Sequence, residues 1–161
     1  MNISETVTTA RRVLVPLDGS PLAEAVLPFV ASLARPLGLE ITLLRVAPTV
    51  PPQVIEGSRR VVANPIDRLT QEANDYLCGV ADRLRAEGLN ALTAVRVGDA
   101  ATEIVLGARE GRADLIAMTT HGRTGLRRLL FGSTADGVLR RADVPVFLVR
   151  RKEAELAKRA A

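Results

Sequence analysis

Cysteine, lysine, histidine and aromatic side chains are all scarce in this chain of 161 residues, and each shortage excludes a class of chemistry. A single cysteine, Cys78, cannot form an internal disulfide framework and agrees with a reducing compartment. It stands in a helical stretch with no second cysteine, where a small core residue is expected. The two lysines, Lys152 and Lys158, both lie in the tail, so there is no P-loop pattern ending Gly-Lys-Ser/Thr. The dinucleotide pattern Gly-x-Gly-x-x-Gly is missing too, since the first turn offers only Gly19. With one histidine, His121, far from the cysteine, no His, Cys and carboxylate group has metal-ligand spacing. No dedicated metal cage is expected, and Mg²⁺ would arrive with a nucleotide. Aromatics make up 2% of the chain, too few for platforms that stack single-stranded bases. The net charge of +4 is spread along the chain and interleaved with acids, as at Arg83, Arg85 and Glu87, which reads as a solvated surface and not a nucleic-acid interface. No segment approaches the roughly 18 apolar residues of a membrane span. Residues 1–10 carry no Lys, Arg or apolar run and do not read as a secretory signal. A cytoplasmic protein with neither nucleic acid nor membrane as partner is the expectation.

What is present is a hydrophobic content of 47%, enough for one ordinary domain with a sizeable core. Short apolar runs alternate with helical patterns. Arg12 to Leu17 is a buried-strand signal, followed by an Asp18-Gly19 turn and by Ser20-Pro21, an N-cap with proline at the first helical position. The helix that follows is stopped by Pro36 and Gly38, with Pro28 as a kink. Glu40 to Val46 is the second strand, and the proline-bearing stretch 48–63 is a long loop. Asn64-Pro65 opens a helix that runs to Glu87-Gly88, Leu92 to Val97 is the third strand, and Asp99 caps a helix to about Glu110. The fourth strand begins near Leu115 and the fifth spans Pro145 to Val149. Strands separated by helices imply βαβ units, hence a doubly wound α/β domain with a parallel sheet covered on both faces. A single domain over 1–161 is expected, with its core at about 12–150 and flexible tails at 1–10 and 151–161.

The most informative stretch is Met118 to Ser133, a strand end, a glycine-punctuated loop and a helix start. Glycine lets backbone approach a ligand, and the free N–H groups at a helix start favour an anion, so the stretch reads as a phosphate cradle. The spacing from Gly122 through Gly132 to Ser133, with Val144 to Val149 close behind, resembles the universal stress protein family. Nucleotide-binding members of that family read Gly, two residues, Gly, nine residues, Gly, then Ser or Thr. The first of those glycines falls here at Thr119, whose Cβ stands where backbone would approach the ligand.

The resemblance covers about Arg12 to Arg150 and implies a five-stranded parallel sheet of order 3-2-1-4-5 with helices on both faces. That order reverses between the first and fourth strands, and ligands of open α/β sheets sit at the carboxyl ends of strands beside such a reversal. By resemblance, Pro16, Leu17 and Asp18 line an adenosine pocket, with Asp18 accepting hydrogen bonds from ribose or adenine. Val46 gives adenine a backbone contact, and Thr119, Gly122, Arg123, Gly132, Ser133 and Thr134 surround the phosphates. Each has a plainer use: Asp18-Gly19 as turn chemistry, Val46 as core, Ser133 as a helix N-cap. Arg123 is the loop cation nearest the phosphates, while Arg127 and Arg128 read as solvated. His121 has no acid placed to orient it and reads as a residue that pins the loop and not as a catalytic base.

The resemblance implies a module that binds ATP, ADP or AMP in stress response or signalling, with hydrolysis slow at most, and a homodimer formed through the last strand, Val146 to Val149. An apolar edge strand is itself an invitation to pair with another chain. The alternative is a dimeric interaction protein of the same fold with no nucleotide in the crevice. Thr119 argues for that alternative, and Gly122, Gly132 and Ser133 argue for the nucleotide.

Overall fold

A computed structural model describes residues 11–49, 65–120 and 132–150. The elements run β1 (Arg12–Pro16), α1 (Pro21–Glu24), α2 (Leu27–Leu37), β2 (Glu40–Ala47), α3 (Pro65–Ala86), β3 (Asn90–Val97), α4 (Ala100–Glu110), β4 (Leu115–Thr120), α5 (Ser133–Arg141) and β5 (Val146–Arg150). The five strands form one parallel sheet in the order β3-β2-β1-β4-β5, as the resemblance implies. Period-2 alternation along each strand feeds two cores. Val13, Val15, Ile41 and Leu43 pack with Val30 of α2 and with Leu77 and Val80 of α3. Leu14, Leu44 and Ile116 pack on the opposite face with Ile104 of α4 and Val138 of α5. Right-handed crossovers account for this division. The chain steps from β1 to β3 in one direction, then returns across the sheet to β4 and β5, so the later helices cover the other face.

Four details differ from the sequence expectations. The helix after Ser20 is broken and not merely kinked: α1 ends at Glu24 and α2 begins at Leu27. Pro28 lacks the N–H that would bond the Glu24 carbonyl, and its ring crowds that carbonyl. Pro36 does not stop α2, because in the last turn its ring constrains residues already inside the helix; Gly38, at φ 62°, is the left-handed cap. β3 starts at Asn90, two residues before the apolar run that marked it, because Asn90 and Ala91 complete the register with Glu40 and Ile41. Cys78 is half-buried on α3, one position beyond the fully buried Leu77, and so sits at the margin of the core.

The two seams of β1 differ. Pairing with β2 is continuous from Arg12 opposite Glu40 to Pro16 opposite Leu44, and the Leu17 N–H extends it by donating to the Leu44 carbonyl at 2.8 Å. Pairing with β4 covers only Val13 opposite Leu115 and Leu14 opposite Ile116. At the closed end of that seam Asp114 Oδ2 accepts from the N–H groups of Arg11 and Arg12, at 2.8 and 3.0 Å. Toward the carboxyl ends the strands part.

Candidate nucleotide-binding cavity

A cavity of about 290 Å³ occupies that opening, lined mainly by apolar groups. One wall is the end of β1 and the turn after it, Pro16, Leu17 and Asp18; Leu44 and Val46 from β2 lie beside it. Across the opening stand Met118 and Thr119 of β4, and the helix start Gly132, Ser133, Thr134 and Ala135. Ala100 and Ile104, one turn apart on α4, close the side. The structure thus brings Pro16, Leu17, Asp18, Val46, Thr119, Gly132, Ser133 and Thr134 to one cavity, although more than a hundred residues separate the first from the last. Gly122 and Arg123, with His121, Arg127 and Arg128, lie outside the described residues.

The turn after β1 is shaped by its own side chains. Asp18 Oδ1 accepts from the Ser20 N–H at 2.8 Å, and Ser20 Oγ accepts from the Ala23 N–H at 3.1 Å, which caps α1. Asp18 remains exposed, with its other oxygen available to a ligand. Behind the turn stands a layer that sequence reasoning missed. Arg45 lies 5.1 Å from the Tyr76 ring centroid, and a Cβ on Gly19, at φ 87°, would meet its guanidinium at 3.0 Å. The Tyr76 hydroxyl donates to Glu24 Oε1 at 3.0 Å, and Arg83 pairs with Glu24 Oε2 at 2.7 Å. Burial, then the Glu24 carboxylate, pushes the Tyr76 hydroxyl well above its ordinary value, so it stays a donor. No sequence motif marks this support, because Tyr76 lies in an ordinary helical apolar stripe and Arg45 alternates with core residues in β2.

The opposite wall is positioned by α4. Asp99 Oδ1 caps that helix, accepting from the Thr102 N–H at 3.0 Å and the Thr102 hydroxyl at 2.6 Å. The hydroxyl bond, then the backbone bond, holds the Asp99 carboxyl below its ordinary value. Arg96 ties α4 to β3 through Glu103 at 2.6 Å and Glu110 at 2.8 Å. Gly137 lets α5 press onto α4: a Cβ there would come within 2.7 Å of the Ala101 Cβ. Arg141 NH1 donates to the Thr102 hydroxyl at 2.7 Å.

At the start of α5 the N-cap is Gly132, and Ser133 is the first helical residue, which corrects the N-cap use for Ser133. Gly132 has φ 81° and ψ 151°, a region essentially reserved for glycine, and a Cβ on it would meet nothing within 4 Å among the described residues. The first helical bond runs from the Asp136 N–H to the Gly132 carbonyl at 3.0 Å. The N–H groups of Ser133, Thr134 and Ala135 precede it and face no intrahelical acceptor. They make this end of the cavity attractive to an anion.

Thr119 adds a further polar group to this wall. Its Oγ1 is buried and has no hydrogen-bond partner among the described residues. A buried hydroxyl left without a partner costs about 1–3 kcal/mol. Among the described residues no group of three His, Cys, Asp or Glu side chains could hold a metal ion, and no helix is long and apolar enough to cross a membrane.

The lining that sequence reasoning did not name is Ala23, Leu44, Ala100, Ile104, Met118 and Ala135. Leu44 was within reach, being two residues before Val46 on the same face of β2. The alanines and Ile104 carry no signal beyond helical periodicity.

Comparison with known proteins agrees with this architecture. The model of the universal stress protein family matches residues 9–150. Universal stress protein MJ0531 of Methanocaldococcus jannaschii is 30% identical over 147 residues, which cover 90% of this chain and 85% of that protein. The solved structure of MJ0577, from the same organism, superimposes with a TM-score of 0.68 at 26% identity, over 88% of this chain and 96% of the other. A universal stress protein from Archaeoglobus fulgidus, solved in complex with dAMP, gives a TM-score of 0.63 at 26% identity, over 86% and 96% of the two chains. With its 3-2-1-4-5 sheet and a family match over nearly its whole length, the chain belongs to the universal stress protein family.

Proposed function

We propose that the cavity between β1 and β4 binds an adenine nucleotide, and that the protein acts as a nucleotide-responsive module in stress response or signalling. One observation carries the reading: a carboxylate, Asp18, and a free helix start, Gly132 to Thr134, line one mostly apolar cavity. Apolar walls with a few convergent polar groups suit a base and sugar, and a helix start suits a phosphate. In this arrangement the base lies along Leu17, Leu44 and Val46, Asp18 accepts from ribose or adenine, and Ser133 and Thr134 add hydroxyls to the amides of α5. The family resemblance adds Gly122 and Arg123, outside the described residues, as further phosphate contacts. The dAMP complex of the Archaeoglobus fulgidus relative, at 26% identity, supports the choice of adenine.

Binding, not turnover, is the proposed activity. Asp18 is the titratable side chain that the described wall contributes, and it serves the adenosine end. Any Mg²⁺-dependent hydrolysis of ATP therefore falls well below the roughly 1–100 per second typical of kinases. The proposed assembly is a homodimer through β5, whose Val146, Phe147 and Leu148 are half-buried at the sheet edge.

Isothermal titration with AMP, ADP and ATP tests the reading. The unmodified protein binds at least one of them at or below millimolar concentration. Gly132→Val, which cannot keep φ 81° without strain and so displaces the start of α5, abolishes binding while the circular dichroism of the fold persists. Absence of binding by all three to the unmodified protein refutes the reading.

A further inference from the structure

We propose that Arg45 and Tyr76 are positioning residues for the adenosine end of the cavity: they support the turn after β1 from beneath and so fix where Asp18 meets the ligand. The inference rests on the nucleotide reading above and adds to it two side chains that do not line the cavity. Alternation along β2 turns Val46 toward the α4 face, where it packs on the second core, and Arg45 toward the α3 face, beside Tyr76. Val46 therefore reaches the cavity directly, and Arg45 reaches the turn from the other side.

Three contacts make up the support. The Arg45 guanidinium lies over the Tyr76 ring, 5.1 Å from its centroid. A Cβ on Gly19 would stand 3.0 Å from Arg45 Nη1 and 3.4 Å from Cζ, so the guanidinium bears directly on the turn. Glycine, at φ 87°, gives the backbone both the room and the conformation for that approach. The Tyr76 hydroxyl donates to Glu24 Oε1 while Arg83 holds Glu24 Oε2, which ties α1, at the exit of the same turn, to α3. The turn is thus fixed in its middle by Arg45 and at its exit by Glu24. Asp18 precedes Gly19 and accepts from the Ser20 N–H, so its carboxylate moves with this backbone. The Tyr76 hydroxyl feels the charges of both Arg45 and Asp18, and the three groups share one neighbourhood. Arginine suits the place because its flat, permanently charged group stacks on an aromatic face and presses on backbone at once.

Calorimetry with AMP in a double-mutant cycle tests the role. Arg45→Met keeps much of the length of the side chain and loses the guanidinium plane, and AMP affinity falls about fivefold or more. Placed on Asp18→Asn, which itself weakens binding, the same substitution has no further effect, because Arg45 acts through Asp18. Placed on Ser133→Ala, at the phosphate end, it keeps its full effect. A side chain that only stabilised the fold, or that attracted phosphate by its charge, would show its full effect on both backgrounds. Tyr76→Phe keeps the ring under Arg45 and loses the bond to Glu24. It weakens AMP binding about twofold to threefold, again only while Asp18 is present, and carries the test if Arg45→Met does not fold. Thermal unfolding of each variant accompanies the titrations. AMP affinity unchanged in Arg45→Met, or a loss that persists undiminished on Asp18→Asn, overturns this inference while the nucleotide reading stands. Binding unchanged in Asp18→Asn overturns it together with the adenosine role of Asp18. No nucleotide bound by the unmodified protein overturns the inference and the nucleotide reading alike.

Discussion

β1 has two neighbours and treats them differently. With β2 it pairs along its whole length, and the side chains beneath that seam are fully buried, Ile41, Leu43 and Leu77 among them. With β4 it pairs at Val13 and Leu14 only, then separates around a cavity edged by short side chains, a glycine N-cap and an unpartnered hydroxyl. One strand therefore takes part both in a continuous seam and in one that opens. The reversal of strand order explains the contrast: α2 and α3 cover one direction of the sheet and α4 and α5 the other, so none of these helices fills the crevice at the carboxyl ends of β1 and β4. Close packing lies at one seam and the open crevice at the other.

Breaking the closed seam has the largest expected effect. Leu43→Ala removes a fully buried side chain and costs about 2–5 kcal/mol, read as a lower denaturant midpoint. Ligand contacts are spared, so any surviving folded fraction still binds nucleotide. Gly137→Ala comes next. Its Cβ would meet the Ala101 Cβ at 2.7 Å, and overpacking of this kind costs about 1–3 kcal/mol. Because α5 must shift to relieve the contact, the variant also loses nucleotide affinity by titration, which Leu43→Ala does not. Equal effects of the two variants on binding would erase the distinction between the seams.

The smallest effect lies at the closed end of the open seam. The Arg11 N–H, then the Arg12 N–H, holds the Asp114 carboxyl below its ordinary value. A carboxyl so depressed stabilises the fold at pH above its unfolded value of about 3.9, and the contribution disappears as pH falls through the lower folded value. Asp114→Asn is accordingly less stable than the parent at neutral pH, and the two converge on acidification below about pH 4. Thermal melts at several pH values check the sign.

Much of this arrangement is legible in the sequence. Apolar runs located the strands, Ser20-Pro21 and Asp99 located helix starts, and the glycine spacing drew attention to the loop that precedes α5. Strand order was not legible from periodicity, because every buried parallel strand carries much the same apolar signal; it came with the family resemblance. The break at Ala25 and Val26 was half legible. Pro28 announces it, but whether a proline kinks or ends a helix depends on whether packing on the carboxyl side can hold a new start, and here Leu27, Val30 and Ala34 do so. Ser133 looked like an N-cap because serine favours that place, while the positive φ of Gly132 moves the cap one residue earlier. The Arg45, Tyr76 and Glu24 layer is a tertiary product of β2, α3 and α1, with no local spacing to reveal it. Likewise, that the Thr119 hydroxyl points inward without a partner is a fact of packing that residue type alone does not disclose.

Hydrogen exchange with and without saturating AMP tests the central claim most directly, because it reads both seams in one experiment. The account predicts added protection of amides at Leu17 to Ser20, at Met118 to Thr120 and at Ser133 to Asp136, with β3 and α3 unchanged. Protection that is absent, or that falls on β3 and α3 instead, would contradict it.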